Sequence, residues 1–252
     1  MTFDPFRDFT ERGYLRNVGG EKDPKKVKWL EHVSFASELP VALDLLAERG
    51  HVGYQDVLDV HGTLFGSVYP WAGQDRLQTA PDLAVGRGPV LFAAPSEIRR
   101  SVDYALELAQ KRNAMGDQPG TVMGYLAYGH PFLDGNGRAL MTVHAHLAQR
   151  AGVSIAWGAT NKSDYLNALT RELQEPGSGH LDDYLRPHMG VAIGQDNLAS
   201  HLLSLPGLGS TEERLPEHEV AGDLNDADVR ARYEEYELKR EESLDRNKSR
   251  GR

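Results

Sequence analysis

His130, Asp134, Asn136 and Arg138 fall within one short stretch, His130-Pro131-Phe132-Leu133-Asp134-Gly135-Asn136-Gly137-Arg138. An imidazole is the side chain best suited to take a proton from a hydroxyl near neutral pH. Asp134 offers a hard oxygen ligand of the kind that holds Mg²⁺ together with substrate phosphates. Gly135 and Gly137 flank Asn136 and free the backbone to aim successive N–H groups into one concavity. Arg138 would sit in the first turn of a helix, where a cation opposes the helix dipole unless an anion lies between them. Base, metal ligand, N–H cradle and cation together describe a phosphate-transfer site. Asp-Gly and Asn-Gly are also ordinary turn dipeptides, so spacing alone leaves a plain connecting loop open. An EF-hand is excluded because Ala145 stands near where its bidentate Glu is required.

The elements that must carry this loop read as helices. Val33, Ala36, Leu39, Leu43 and Leu46 recur at helical spacing between Val27 and Arg49, and Pro40 predicts a break into two pieces. Tyr54 to Phe65 is a second helix, with Val57, Val60 or His61, and Leu64 on one face and His61 as a hydrogen-bonded core residue. Leu77 and Thr79, then Val90, Leu91 and Phe92, flank the turn Gly86-Arg87-Gly88-Pro89 and predict a small hairpin over Arg76 to Ala94. Ser96 can cap a helix running to Lys111. Helices from Thr121 to Tyr128 and from Arg138 to Arg150 bracket the loop, and one more, capped by Asn161 or Ser163, runs to Glu172. His144 and His146 point to different faces, which argues against a metal pair.

The ends differ from this middle. Residues 1–26 mix Gly and charge with Phe3, Phe6, Phe9 and Tyr14, an irregular segment aromatic enough to dock. Beyond Leu205 the chain turns Gly-, Ser- and Pro-rich, and Asp226 to Arg252 is almost wholly charged. That stretch reads as a solvated helix or disordered tail, with a partner-binding helix anchored by Tyr233 and Tyr236 as the alternative. The 252 residues include no Cys, which excludes disulfides and thiol chemistry. A net charge of -9 argues against general nucleic-acid binding. No apolar run spans a bilayer and the first residues do not read as a signal peptide, so no membrane association is expected and the cytoplasm is the expected site of synthesis.

HPFLDGNGR resembles the signature of the Fic family, H-x-F-x-[DE]-G-N-G-R-x-x-R, at every defined position except the last. Leu64 to Gly73, with Val68-Tyr69-Pro70-Trp71-Ala72-Gly73, is similar to that family's FxxVYPWAG segment. The resemblance covers roughly Tyr14 to His188 and implies a mainly α fold: a helical core with a short β-hairpin flap, followed here by a charged C-terminal extension. It divides the chain into a leading segment (1–26), the Fic domain (27–190) and the extension (191–252). It implies a protein adenylyltransferase that moves AMP from ATP to a Ser, Thr or Tyr of a target protein, with Mg and ATP bound at the loop. His130 is then the base, Asp134 the metal ligand, Gly135, Asn136, Gly137 and Arg138 the nucleotide site, and Phe132 an anchor for the loop. The flap, through Leu77, Gln78, Thr79, Val90 and Leu91, would clamp the target by strand addition. Action as a toxin or as an effector delivered to another cell, and a separate antitoxin or inhibitor as a second partner, belong to the same expectation.

The pattern breaks at Met141, where the family carries a second arginine that holds the γ-phosphate. A thioether has no charge and accepts only weakly. A substitute cation from Arg150 or Arg171, another transferred group (UMP, phosphate or phosphocholine), or a degenerate binding module are the alternatives this opens. An intact DGNGR favours nucleotidyl over phosphate transfer. Ser34 and Glu38 come close to the family's inhibitory motif [ST]-x-x-x-E-[GN], which Leu39 and Pro40 then spoil; an ordinary amphipathic helix explains them as well.

Overall fold

The computed structural model describes residues 16–205 and 219–250, with helices dominating and two small sheets. Helix α1, Pro24–Ala47, starts at Asp23, whose carboxylate accepts from Lys25 N–H, with Pro24 pre-set in the first turn. It runs unbroken through Pro40, contrary to the break expected there. Pro40 lies on the exposed side, so water can serve the Ala36 carbonyl it leaves without an N–H. An interior proline costs about 3 kcal/mol in an isolated helix. Phe35, Leu39, Leu43 and Leu46, all buried, offset that at about 1.5–3 kcal/mol each. The buried stripe also includes Val27, Glu31 and Ser34, while Val33 is 43% exposed and Ala36 half-buried, so the expected face holds at Leu39, Leu43 and Leu46 but not at Val33.

Helix α2, Tyr54–Phe65, comes next, with Val57, Val60, His61 and Leu64 inward as expected. Arg76–Thr79 forms a short helix, α3, and not the first strand of the hairpin. The reason is local: the Asp75 carboxylate accepts from Gln78 N–H at 3.1 Å and caps a turn that the alternation of Leu77 and Thr79 does not reveal. Leu77 and Gln78 are exposed and Thr79 is buried. The flap proper consists of β1, Leu83–Arg87, and β2, Val90–Leu91, paired antiparallel with Gly86 opposite Leu91 and Arg87 opposite Val90. Ser96 lies within a 3₁₀ turn, Pro95–Glu97, and α4 begins after it, Ile98–Ala109.

A short turn of helix, α5 (Ala114–Asp117), leads into α6, Pro119–Gly129, which is buried on almost every side. Its neighbours are α4, α5, helix α7 (Asn136–Arg150), α8 (Lys162–Gln174) and α9 (His180–Leu185). Asn161 caps α8 through Ser163 and Asp164 N–H, as the sequence suggests. The N-terminus of α6 is capped from α9: Asp182 accepts from Gly120 and Thr121 N–H and from the Thr121 hydroxyl. Strands β3, Val153–Ile155, and β4, Met189–Val191, pair antiparallel, and α10, Gln195–Leu203, rests against α1 and α7.

The C-terminal segment does not behave as a free tail. Strand β5, Glu219–Asp223, adds to the flap in the order β2-β1-β5, and helix α11, Ala227–Arg250, lies against it. Tyr233 is 7% exposed, packed with Ala84 and Leu91. The solvated reading is thereby corrected: Tyr233 and Tyr236 do anchor the helix, but to this chain's own domain. The aromatic segment Phe3 to Tyr14 lies outside the described residues.

Candidate active site

The loop from His130 to Gly135 joins the end of α6 to the start of α7 and turns on two left-handed residues. His130 closes α6 at φ 41°, ψ 58°, a place usually held by glycine, and Gly135 opens α7 at φ 78°. A side chain at Gly135 would put its Cβ 2.7 Å from the Phe65 ring. Gly135→Ala therefore meets both a backbone penalty of about 1–2 kcal/mol and a clash, and is expected to lower the thermal midpoint clearly below that of Gly137→Ala; equal midpoints would contradict this account.

Two residues whose role at the loop is not apparent from the sequence hold it from below. Arg76 is fully buried; its Nε donates to the His130 carbonyl at 2.7 Å, its Nη2 to Ala93 O at 2.8 Å, and its own backbone N–H to Pro131 O. Burial lowers its pKa to about 10, which leaves it charged at neutral pH. His61 holds the other end. Gly73 N–H donates to its Nδ1 at 3.0 Å, so the proton resides on Nε2, which donates to the Asp134 carbonyl at 2.9 Å. Phe132, fully buried, stacks on the His61 ring at 3.7 Å.

Inside the loop, Asn136 clasps both backbone groups of Phe132, accepting its N–H on Oδ1 and donating Nδ2 to its carbonyl, each at 2.8 Å. The same Nδ2 reaches His130 Nε2 at 3.2 Å. Because that amide nitrogen can only donate, Nε2 is the nitrogen that carries the lone pair. The imidazole lies flat on Phe92 of the flap, ring centres 3.9 Å apart, and His130 is 5% exposed. The Asn136 side chain thus shapes the loop.

The charged groups form a chain. Gly135 N–H donates to Asp134 Oδ1 at 2.7 Å, and Lys28 Nζ lies 2.5 Å from Oδ2. Burial alone would raise the Asp134 carboxyl; Lys28, Arg138 and the Gly135 N–H outweigh it and hold the group well below the ordinary range. Lys28 also reaches Glu31 at 2.9 Å, and Glu31, fully buried, takes Arg138 Nη2 at 2.5 Å and the Tyr69 hydroxyl. The Arg138 guanidinium lies over the Phe65 ring at 4.6 Å. Glu31 is missed by sequence reasoning, although its spacing from Val27, Phe35 and Leu39 marks an acid on a buried stripe, which demands a cation.

The other named residues lie elsewhere. Ser34 donates to Leu64 O at 2.7 Å and meets Ser67, and Glu38, half-exposed beside Ser37, is about two turns along α1 from the acid that reaches Arg138. Met141 is buried in α7. Arg150 is tied to the Arg49 and Gly50 carbonyls at the far end of that helix, and Arg171 is exposed on α8, so neither is held at the loop. Among the described residues no group of three or more His, Asp or Glu side chains could hold a metal by itself, and no helix is long and apolar enough to cross a membrane.

Three buried histidines set a pH response. Burial lowers His61 to about 3 and His144 and His146 to about 4, whereas an unfolded histidine titrates near about 6.5. The unfolded chain therefore takes up protons that the folded chain refuses once pH falls below about 6.5. Stability is full above that value and declines toward pH 4, by about 1.4 kcal/mol per unit for each ring. Urea midpoints are expected to fall between pH 7.5 and 5.5. His146, whose ring nitrogens find no partner among the described residues, contributes to the slope, so His146→Leu should flatten it; an unchanged slope would contradict this assignment.

Residues 51–148 match the Fic/DOC family. The protein adenylyltransferase VbhT of Bartonella schoenbuchensis is 29% identical over 190 residues, a match covering 71% of this chain and 37% of VbhT. The probable protein adenylyltransferase y4lH of Sinorhizobium fredii is 25% identical over 166 residues, covering 62% of this chain and 82% of that protein. The chain thus matches little more than a third of VbhT's length. Among solved structures, BepC of Bartonella tribocorum, a VirB-translocated effector with bound AMPPNP, superposes with a TM-score of 0.56 at 20% identity, covering 70% of this chain and 92% of that one. The N-terminal Fic domain of a VirB-translocated effector of Bartonella quintana with bound ADP gives 0.59 at 22%, covering 72% and 92%. These two likenesses establish the fold.

Proposed function

Because residues 51–148 match the Fic/DOC family, we propose that the chain is a protein adenylyltransferase that moves AMP from ATP to a hydroxyl of a target protein. The observation that carries this reading is the loop itself: His130 is held with its Nε2 lone pair directed by Asn136, at the mouth of α7, with Asp134 ionised and Arg138 beside it. In the proposed reaction the target hydroxyl gives its proton to His130 Nε2, displacing the long 3.2 Å bond from Asn136. The oxygen attacks the α-phosphorus, the bond to the β-phosphate bridging oxygen breaks, and diphosphate leaves. The first-turn N–H groups of α7 and the Arg138 guanidinium receive the phosphate charge.

The donor set fits a hard cation. Asp134 is one ionised carboxylate beside an N–H cradle, and Mg²⁺ is often held by one or two carboxylates completed by phosphates. Bound there, Mg²⁺ would supply charge neutralisation for the leaving diphosphate. Lys28, which shares the Asp134 carboxylate, would have to yield that oxygen. In this reading the flap receives an extended segment of the target, with Leu77 and Gln78 exposed on α3 just before it in the chain and Val90 and Leu91 in its second strand.

The purified protein with Mg²⁺ and α-labelled ATP or UTP, alone and with lysate, tests the reading. Protein-bound label with ATP that disappears in a His130→Ala variant supports it; label with UTP alone reassigns the transferred group, and label that persists in the variant rejects the base.

A further inference from the structure

The flap offers a target two backbone edges, and the C-terminal segment pairs with one of them. The outer edge of β1 pairs with β5: Leu83 opposite Asp223, Ala84 opposite Gly222, Val85 opposite Val220 and Gly86 opposite Glu219, with a bulge between Ala84 and Val85. On the other side, Phe92 N–H bonds to Val85 O at 3.0 Å, so the N–H of Leu91 points away from β1. On that side Tyr236 of α11 donates its hydroxyl proton to the Leu173 carbonyl of α8 at 3.3 Å. Tyr233 lies across the sheet between these edges, donating to Phe92 O at 2.7 Å. Further along α11, Arg240 donates to the Leu173 carbonyl and rides over the Tyr128 ring at 3.6 Å, while the Tyr128 hydroxyl bonds to Glu237.

We propose that the segment from Glu219 to Arg240 is a displaceable cover, a strand and helix of the chain itself whose strand occupies the β1 edge that a target strand requires. This rests on the proposed docking of targets by strand addition. The cover is built to come off. All of β5 is exposed or half-exposed, and Tyr233 is the one apolar residue of α11 whose side chain is fully buried among the described residues. Few buried apolar contacts and a solvated strand edge mark a segment that opens at low free energy. Opening also bears on the base, because Tyr233 holds the carbonyl of Phe92 and the Phe92 ring lies on His130. An uncovered flap then presents the β1 edge to an extended peptide and pairs with it through main-chain hydrogen bonds.

The full chain can be locked or released without touching the loop. Leu224 N–H bonds to Asp82 O at 2.7 Å, which makes Leu83 and Asp223 a close, non-hydrogen-bonded pair. Leu83→Cys with Asp223→Cys can therefore form a disulfide, and the native chain has no cysteine to compete. Gly222→Val releases: at φ 149° its Cβ would stand 2.5 Å from Val229 of α11. Two readouts are taken, label transfer from α-labelled ATP and hydrogen exchange of the β1 amides with and without a synthetic peptide spanning Glu219 to Asp226. The release variant should exchange faster at β1, regain protection when the peptide is added, and transfer about tenfold faster, a shift of about 1.4 kcal/mol. The oxidised lock should transfer at background and recover on reduction. Equal transfer by the oxidised and reduced forms overturns the proposal, as does a release variant that the peptide fails to protect. Label in no form counts against the adenylyltransferase reading alone, and peptide protection then decides the cover by itself.

Discussion

His130→Asn is expected to lower transfer from ATP by about 10²–10⁴-fold, the usual contribution of a general base, while the fold and the affinity for an ATP analogue stay close to native. The choice of asparagine follows from the backbone. His130 sits at φ 41°, where most side chains cost about 1–2 kcal/mol, whereas asparagine is among the few non-glycine residues enriched in that region. An Ala variant mixes lost chemistry with added strain at the loop's first residue, and that strain would spread through the Arg76 bond to the His130 carbonyl. In the Asn variant the carbonyl remains in place, so Arg76 and the Asn136 clasp on Phe132 are undisturbed. Rates of label incorporation, calorimetry with AMPPNP and a thermal midpoint separate the possibilities. A variant that binds and folds as the native chain yet still transfers within a few-fold would remove His130 from the chemistry.

The parts of this site that were legible in the sequence are those whose chemistry is local. His130 to Arg138 announces itself because a base, an acid, two glycines and a cation share one loop, and the helix that follows it carries Leu140, Val143 and Leu147 at helical spacing. Glu31 was hidden because α1 is apolar on both faces: Trp29, Val33 and Val41 are 53%, 43% and 52% exposed, so a stripe drawn through Val33 was as plausible as the true one through Val27, Glu31 and Phe35. Pro40 misled for the complementary reason, since tertiary burial outweighed a local cost. Leu77 to Thr79 alternate like a strand but obey the cap at Asp75. The covered flap was the least legible feature. Val85 and Val220 pair across a sequence separation that no periodicity reports, and the two tyrosines that anchor α11 are submerged in a run of charges. Composition described the solvent face of that helix correctly and was silent about the other.

Glu31→Ala is expected to be the most destabilising single change at the site. Glu31 is 0% exposed and Arg138 is 4% exposed, and removing one partner of a buried ion pair typically costs about 3–5 kcal/mol because the other charge is left unpaired. The Tyr69 hydroxyl and the Lys28 ammonium lose the same acceptor. For a chain of this size the loss corresponds to a fall in thermal midpoint on the order of 10 °C. Glu31→Gln separates stability from function. It keeps the shape and one acceptor oxygen for Tyr69 or Arg138, so its stability loss should be clearly smaller. It also removes a negative charge beside the phosphate site, so an ATP analogue should bind no more weakly than to the native chain, while transfer falls because Arg138 is no longer held in one place. A purely structural role for Glu31 would instead weaken binding and transfer together, in step with stability. If Glu31→Ala melts within about 2 °C of the native chain, a shift worth no more than about 1 kcal/mol, the buried pair is not what orients Arg138, and the cation must be set by its packing over Phe65.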